Sequence, residues 1–300
     1  MTRQAIGIDI GGTHTKLAIV SDYGEIQQIE TLPTTTRDDP KEYLEHLVRQ
    51  IEKLIDNSIA GIGIAAPGFL SNDRRSIRFN PNTPALVGID FVTLLDRFHL
   101  PVHLEQDLNV PTVAEYYFGE FRGAARLMTA SIGTGLGAGF IPDGKLLDFS
   151  GSTIGDTGHI ILQPDGPTCT AGCHGCGEAL IATPNIERLA EKNNRQVKAY
   201  EVITAAKEGQ SWAVEIIEQI AGWLGQWLAS LSPIFLPSHI ILCGGVAEAG
   251  EILRNKTETR FRELGGPEYT RCRLALSRFG GRAGVIGAAA PFFAKSTLEK

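Results

Sequence analysis

The feature that most constrains the fold is a pattern that occurs twice: an apolar strand, a glycine-rich turn and a second strand. The first copy spans residues 4–20 and contains QAIGIDI followed by Gly11 and Gly12. The second copy spans residues 126–141 and reads RLMTASIGTGLGAGFI. Other apolar strands alternate with helical patterns such as SWAVEIIEQIAGWLGQWLASL. The repeat therefore predicts two similar α/β lobes with a cleft between them.

The composition predicts a globular protein without a nucleic-acid or membrane partner. The 300 residues are 43% hydrophobic and 21% charged, and the formal net charge is −6. A nucleic-acid partner would require a basic face. The longest apolar stretch, residues 221–241, is interrupted by Pro233 and Pro237, and the N-terminus has no apolar signal core. We therefore expect a cytoplasmic protein.

Three glycine turns, each after an apolar strand, predict nucleotide binding. They are DIGGTHTK (9–16), GTGLGAG (133–139) and CGGVAEAG (243–250), and the last turn is expected to open a helix. Glycine turns let a phosphate approach backbone N–H donors, and Asp9 could hold Mg²⁺ through water. Taken alone, the first turn could equally be a tight hairpin with no ligand. The second is a weak dinucleotide fingerprint, because a strand follows it.

Several motifs, taken together, resemble the ROK family of sugar kinases and repressors over residues of about 3–290. They occur in the family order: DIGGTHTKLAIV, GIGIAAPGF, EQDLN, SIGTGLGAGFIPDGK, GDTGH, GCHGCGE and ILCGGV. The resemblance implies an α/β, two-lobed actin-like ATPase (ribonuclease H-like) fold with an interlobe cleft. We expect a small lobe from residues 1–118 plus 285–300, and a large lobe from residues 119–284 with a zinc-loop insertion. Since the chain opens directly on the first phosphate strand, the kinase branch is expected.

The resemblance also implies roles for the residues that bind ATP and carry the chemistry. Asp107 stands at the position of the catalytic base, although it could instead cap the helix that follows. Asp9 stands at the position of the acid near Mg²⁺. The remaining nucleotide positions are Gly11, Gly12, Thr13, Lys16, Gly133, Thr134 and Gly135 for the phosphates, and Gly244 and Gly245 for the adenosine.

The sugar side departs from the family pattern at two positions. The usual glutamate of the G-E-x-G-H motif is Asp156, and the usual asparagine before the catalytic acid is Gln106. The hexose-binding positions implied by the resemblance are Gly68, Asn82, Gln106, Asp107, Asp156, His159 and Glu178. Asn80 is a second candidate for the Asn82 role, and either asparagine could form an Asx-turn before proline. These departures predict retained ATP use with an altered sugar preference.

The cysteine cluster CTAGCHGC (169–176) resembles the zinc loop of the family with shifted spacing. The expected ligands of a structural Zn²⁺ are His159, Cys169, Cys173 and Cys176, and His174 is a spare candidate. Ala171 occupies the usual second cysteine position, so the spacing is C-x3-C-x2-C. Zinc accepts such a set when the four ligands reach tetrahedral positions. The alternatives are a redox pair at Cys173 and Cys176, or thiols without a function.

The implied function is ATP-dependent phosphorylation of a hexose, most simply glucose to glucose 6-phosphate, by a homodimer. Kinases for fructose, allose or N-acetylmannosamine are alternatives within the same class, and polyphosphate is an alternative donor. A non-catalytic sugar sensor is an alternative of another class. A zinc-dependent oxidoreductase is disfavoured, because no strand–turn–helix fingerprint is present.

Overall fold

The computed structural model describes residues 3–34, 39–80, 83–149 and 154–293. The strands are β1 Gln4–Ile10, β2 His14–Ser21, β3 Ile26–Pro33, β4 Ile59–Ala66, β5 Phe69–Leu70, β6 Ile77–Phe79, β7 Val102–Gln106, β8 Arg126–Ile132, β9 Leu136–Pro142, β10 His239–Cys243 and β11 Arg273–Leu276. The α-helices are α1 Lys41–Leu54, α2 Phe91–Leu95, α3 Val110–Phe118, α4 Gly177–Ile181, α5 Thr183–Lys192, α6 Ala199–Lys207, α7 Ser211–Phe235, α8 Glu251–Leu264 and α9 Ala283–Ala289. Within the described ranges, no helix is both long enough and apolar enough to cross a membrane.

The chain divides into two compact units. Unit 1 consists of the described residues of 1–123, 146–155 and 282–293, and unit 2 of the described residues of 124–145 and 156–281. The unit 1 sheet has the order β3-β2-β1-β4-β7, in which β2 is antiparallel to β1 while β4 and β7 continue parallel to it. The unit 2 sheet has the order β11-β10-β8-β9, in which β9 is antiparallel to β8 while β10 and β11 run parallel to it. Each sheet therefore contains the same hairpin followed by the same two parallel strands, and the mixed α/β class is confirmed.

The two faces of the unit 1 sheet carry different kinds of side chain. Ile6, Ile8 and Ile10 on β1 point to one face and join a large buried cluster with α1 and α2. Because side chains alternate along a strand, Gly7 and Asp9 point to the opposite face. That face is covered by α9, whose sequence AGVIGAA contains only small residues and two branched ones. Asp9 thus lies at the end of a core strand, on the face that packs against α9.

Helix α9 approaches the sheet so closely that backbone meets backbone. A Cβ built on Gly7 would lie 1.9 Å from the carbonyl oxygen of Val285, and one on Gly63 would lie 1.8 Å from that of Ala288. On the other side of the helix, a Cβ on Gly287 would lie 1.9 Å from the carbonyl oxygen of Val110, the first residue of α3. Only glycine can stand at these positions without a shift of the backbone.

Helix α1 begins at Lys41 with Pro40 as the cap residue, and the Asp39 carboxylate accepts a hydrogen bond from the Lys41 N–H at 2.8 Å. The third glycine turn does not open a helix directly, which differs from the sequence-based expectation. After β10, the chain forms a 3₁₀ turn over Gly245–Ala249, and α8 begins only at Glu251. The reason is Gly250, which has a φ of +70° and separates the turn from the helix.

The substitution Gly63→Ala is expected to lower the free energy of unfolding by about 3 kcal/mol, because the added methyl group would force α9 away from the sheet. The matched control is Gly222→Ala in α7, where a Cβ meets no atom within 4 Å. There alanine should stabilise the helix by up to about 1 kcal/mol. Urea denaturation followed by circular dichroism measures both variants. Equal stabilities of the two would contradict the backbone contact.

Candidate active site

Two aspartates stand at the carboxyl ends of parallel strands in unit 1. Asp9 is near the end of β1, and Asp107 follows the last residue of β7. The Asp107 N–H donates to the carbonyl oxygen of Ala66, the last residue of β4, at 3.0 Å, which extends the sheet pairing to this residue. Because β1, β4 and β7 run parallel, their carboxyl ends meet at one edge of the sheet. The fold therefore brings the two acids together.

The pKa of Asp107 is raised from 3.8 to about 7. Burial of the carboxylate is the larger cause, and the negative charge of Asp9 is the second. Burial likewise raises the pKa of Asp9, and the positive charge of Lys16 opposes that shift. Lys16 stands opposite Asp9 in the antiparallel pairing of β1 and β2. A carboxylate with a pKa near neutrality can exchange a proton at physiological pH, which is what a general base requires.

Asp107 is not the N-cap of α3. The cap residue is Asn109, and α3 begins at Val110 with a proline in its first turn. The chain between β7 and α3 forms a turn closed by a hydrogen bond from the Asn109 N–H to the Gln106 carbonyl oxygen at 2.9 Å. The side-chain oxygen of Gln106 is buried and has no hydrogen-bond partner among the described residues. This turn thus presents a carboxylate of raised pKa next to a buried acceptor.

The first glycine turn connects β1 to β2 in the same unit. The Gly11 N–H donates to the His14 carbonyl oxygen at 3.1 Å, and the Thr13 carbonyl accepts from the Thr34 N–H at 2.8 Å. Gly12 and Thr13 are exposed. The turn is a tight hairpin with an exposed tip that follows directly after Asp9.

Gly284, a residue that the sequence analysis did not single out, limits where the Asp9 carboxylate can lie. A Cβ at Gly284 would lie 2.3 Å from Oδ2 of Asp9. This close approach depends on two segments about 275 residues apart, so no local pattern could have indicated it.

In unit 2 the second and third glycine turns lie side by side. The second turn is closed by a hydrogen bond from the Gly133 N–H to the Gly135 carbonyl oxygen at 2.9 Å. Gly244 has a φ of +87°, and a Cβ there would lie 2.4 Å from the carbonyl oxygen of Ile132. Since Ile132 immediately precedes Gly133, the two turns contact each other through the backbone. Thr134 in the second turn and Gly245 and Glu248 in the third are exposed.

The hexose candidates of unit 1 are only partly described. Gly68 has a φ of +82°, and a Cβ there would lie 2.2 Å from the carbonyl oxygen of Phe79, so the turn after β4 requires glycine. Asn80 is buried and donates from Nδ2 to Oγ1 of Thr83 at 2.5 Å. This is a local contact between two side chains, which differs from the bond to the backbone in an Asx-turn. Asn82, the preferred candidate, lies outside the described residues.

The hexose candidates of unit 2 surround a short 3₁₀ segment, Thr157–His159. Asp156 precedes it and is exposed, and His159 is half-buried. Glu178, in the first turn of α4, accepts a hydrogen bond from the Leu136 N–H at 3.3 Å and another from Oγ1 of Thr170 at 3.4 Å. A Cβ on Gly135 would lie 2.9 Å from Oε2 of Glu178. Glu178 therefore contacts the second glycine turn as well as the cysteine loop.

Three of the four expected metal ligands converge in unit 2. Nδ1 of His159 lies 3.6 Å from Sγ of Cys169 and 3.8 Å from Sγ of Cys176, and all three ligand atoms lie within 4.8 Å of one another. Zn–S and Zn–N bonds of about 2.3 and 2.0 Å at tetrahedral angles place sulfur and nitrogen about 3.6 Å apart. The three residues therefore fit zinc.

Cys173 is not a member of that group among the described residues, although its thiol lies close enough to hydrogen-bond with Cys169. The Cys169 N–H donates to the Cys173 carbonyl oxygen at 2.9 Å. The loop between them is thus a closed turn, and the expected four-ligand set is present as three residues with a fourth nearby.

The chain belongs to the ROK family. The model of that family matches residues 5–295. Among its relatives, the glucokinase of Thermotoga maritima is 28% identical over 95% of this chain and 95% of its own. A ROK family glucokinase from Streptomyces griseus, solved with glucose and AMPPNP, is 28% identical, with a TM-score of 0.84 over 95% of this chain and 98% of that one. A ROK hexokinase from Thermus thermophilus is also 28% identical, with a TM-score of 0.81 over 98% and 99%.

These similarities confirm the resemblance drawn from the motifs and the actin-like ATPase fold class. The match covers both units of this ROK protein.

The raised pKa of Asp107 predicts a pH-dependent gain in stability from Asp107→Asn. Its pKa in the folded chain, about 7, lies above its ordinary value of 3.8. Ionisation of Asp107 therefore costs folding free energy, and this cost grows with pH until the folded carboxyl is fully ionised. Asparagine removes the cost, so the Tm of the variant should exceed that of the wild type by more at pH 8 than at pH 5. At pH 8 the difference should correspond to about 1 kcal/mol or more.

The control is Asp96→Asn, which changes an exposed aspartate of the same unit. Measured at both pH values, it gives the effect of the same exchange at a position outside the buried sheet edge. A Tm difference for Asp107→Asn that is independent of pH would show that Asp107 ionises at an ordinary pH.

Proposed function

We propose that the chain is an ATP-dependent hexose kinase that converts glucose to glucose 6-phosphate, with Asp107 as the general base. The observation that carries this proposal is the carboxylate of Asp107, with a pKa near 7, beside the acid Asp9 at one sheet edge. Its membership of the ROK family and its similarity to glucokinases over 95% of the chain support the reaction class.

The chemistry assigned to Asp107 is a proton transfer. A sugar hydroxyl is a weak nucleophile, and the ionised carboxylate accepts its proton as the hydroxyl oxygen forms a bond to the γ-phosphorus of ATP. The bond from the γ-phosphorus to the bridging oxygen breaks, and ADP leaves with that electron pair. Because the carboxylate must be ionised at the outset, kcat/KM for the sugar should rise with pH through about 7.

Asp9 and the glycine turns are proposed to hold Mg-ATP. Mg²⁺ favours carboxylate oxygens and water, and Asp9 supplies a carboxylate at the end of β1. When bound, the metal neutralises charge on the phosphates. Gly11, Gly12, Thr13 and Lys16 in unit 1, and Gly133, Thr134 and Gly135 in unit 2, are the proposed phosphate contacts. Gly244 and Gly245 are proposed to hold the adenosine.

The sugar is proposed to bind Gly68, Asn82, Gln106, Asp107, Asp156, His159 and Glu178. Support comes from Gln106, whose buried side-chain oxygen lacks a protein partner among the described residues. A buried acceptor without a partner costs free energy, and a sugar hydroxyl would supply the missing donor. Fructose, allose and N-acetylmannosamine remain alternative acceptors, because Asp156 and Gln106 both differ from the usual family residues.

The decisive test is a coupled ADP-release assay with Mg-ATP and a panel of glucose, mannose, fructose, allose and N-acetylmannosamine. We expect turnover with glucose that falls by roughly 10²-fold or more in Asp107→Asn, because a general base is lost. Asp96→Asn is the matched control and should retain the wild-type rate. Polyphosphate replaces ATP in a parallel series.

The outcomes separate the alternatives. Turnover with another sugar alone would replace glucose as the substrate and leave the mechanism intact. Turnover with polyphosphate but not with ATP would replace the donor. A protein that binds a hexose but transfers no phosphate from either donor would be a sensor, and the kinase proposal would be wrong.

We further propose that His159, Cys169 and Cys176 hold a structural Zn²⁺, with Cys173 as the fourth ligand. The sulfur–nitrogen distances of 3.6 and 3.8 Å support this, since they are close to the edges of a zinc tetrahedron. The metal would brace the loop whose Thr170 hydroxyl contacts Glu178.

Zinc content is measured by mass spectrometry on protein purified without chelator. We expect about one zinc per chain in the wild type, and loss of the metal with a lower Tm in Cys176→Ser. Cys272→Ser removes a buried thiol outside the loop and should retain the metal. Cys173→Ser decides whether the fourth ligand is Cys173. A wild-type protein without zinc, or with equal zinc in all variants, would overturn the site.

The lobe boundaries, the oligomeric state and the location complete the proposal. We infer lobes of residues 1–118 plus 285–300 and of residues 119–284, and a homodimer in the cytoplasm. Exposed apolar side chains at the ends of α7 and α8, Ile234, Leu236 and Leu264, support self-association. Five free cysteines support a reducing compartment, where ATP is also available.

A further inference from the structure

Glu105 is a buried carboxylate two residues before Asp107. Its side chain is 7% exposed, and its two carboxylate oxygens bind different partners. Oε1 accepts hydrogen bonds from the Gln106 N–H and from Nδ2 of Asn109, both at 2.9 Å. These donors lie on either side of Asp107 in the turn between β7 and α3. Oε1 therefore joins the two ends of the segment that carries Asp107.

The other oxygen, Oε2, is bound by Arg74. One guanidinium nitrogen of Arg74 donates to Oε2 of Glu105, and a second donates to Asp148. His103 also lies near, with Nε2 3.9 Å from Oε2. Burial lowers the pKa of His103, so Arg74 is the cation that balances Glu105 at neutral pH. Arg74 thus binds the carboxylate oxygen that does not contact the turn, and this contact fixes the plane of the Glu105 carboxylate.

The backbone around Arg74 is built to present this side chain. Arg74 has a φ of +53°, a conformation that non-glycine residues adopt rarely. The turn is held by Ser71, whose hydroxyl accepts from the N–H groups of Arg75 and Ser76 at 3.2 and 3.1 Å. Such a conformation persists where surrounding contacts fix it, and it is enriched at functional sites.

We propose that Glu105, held by Arg74, is the positioning residue of Asp107, and that Asp148 holds the other side of the Arg74 guanidinium. Glu105 binds both ends of the turn through Oε1, and Arg74 fixes the orientation of the Glu105 carboxylate through Oε2. The ion pair with Arg74 also balances the buried negative charge of Glu105 close to Asp9 and Asp107, the acid pair. Glu105 therefore fixes Asp107 without adding an uncompensated charge beside it. This inference rests on the proposed role of Asp107 as general base.

A neighbouring ion pair supplies the comparison. Arg75, next to Arg74 in the chain, pairs with Asp90 at 2.9 Å, and these side chains are 40% and 41% exposed. Arg75 also donates to Oγ1 of Thr93 at 3.0 Å. It thus resembles Arg74 in charge and in making two contacts, but among the described residues its hydrogen-bond and ion-pair partners are Asp90 and Thr93, which lie outside the turn that carries Asp107.

The experiment measures kcat and the KM values for glucose and ATP of the full chain. We expect Glu105→Ala and Arg74→Met to lower kcat by roughly 10- to 100-fold, because a small misplacement of a reacting group is costly. The KM for ATP should change by less than about 3-fold, and Arg74→Lys should recover part of the loss. Arg75→Met should keep the wild-type kcat.

The decisive step is a double-mutant cycle with Asp107→Asn. If Glu105 acts through Asp107, Glu105→Ala should lower the residual rate of Asp107→Asn by less than about 3-fold. An equal loss in both backgrounds, or equal effects of Arg74→Met and Arg75→Met, would overturn the positioning role and leave the kinase proposal standing. A wild-type protein that phosphorylates no sugar would overturn both, so the two failures are distinct.

Discussion

The close backbone contact between α9 and the unit 1 sheet is the constraint on which the acid pair depends. With glycine at 7 and 63, no side chain separates the helix from β1 and β4. The same helix then touches both acidic segments, because Gly284 lies against the Asp9 carboxylate and Gly287 against the backbone of Val110. One rigid element of small residues thus sets the positions of Asp9 and of the start of α3, three residues after Asp107.

This packing explains why the acids have raised pKa values. A helix that approaches a sheet without intervening side chains leaves little room for water, and burial is the largest cause of the shift for both Asp9 and Asp107. Their mutual repulsion adds to the shift of Asp107. The packing of the core around α1 and of α9 on the sheet offsets the resulting cost in folding free energy. A pKa near 7 is therefore a property of the whole unit, since no single neighbour of Asp107 produces it.

The elements that the sequence predicted are those determined by local patterns. Both hairpins and the strands after them follow from alternating or continuous apolar runs that end in glycine turns. The positions that it missed depend on contacts between distant segments. Arg74 binds Glu105 and Asp148, which are 31 and 74 residues away in the sequence. The residue type arginine also gives no indication that its φ is positive. Glu105 offered one signal, a charged residue inside a buried strand next to Asp107. The cysteine spacing indicated the ligand types, but it did not show that Cys173 would contact Cys169 and yet fall outside the group of His159, Cys169 and Cys176.

On the proposed assignment, the contacts that hold Asp107 are separate from the side chains that would contact the sugar. The Asp107 backbone is held by Ala66, and its turn is clamped by Glu105, which contacts the Gln106 N–H but not the Gln106 side chain. On the proposed assignment, the side chain at 106 can therefore change its reach toward the sugar without moving the base. Asp156 has similar freedom, because it is exposed at the start of a short 3₁₀ segment. On the same assignment, both departures from the family pattern fall where a substitution would alter a proposed sugar contact and leave Asp9 and Asp107 in place.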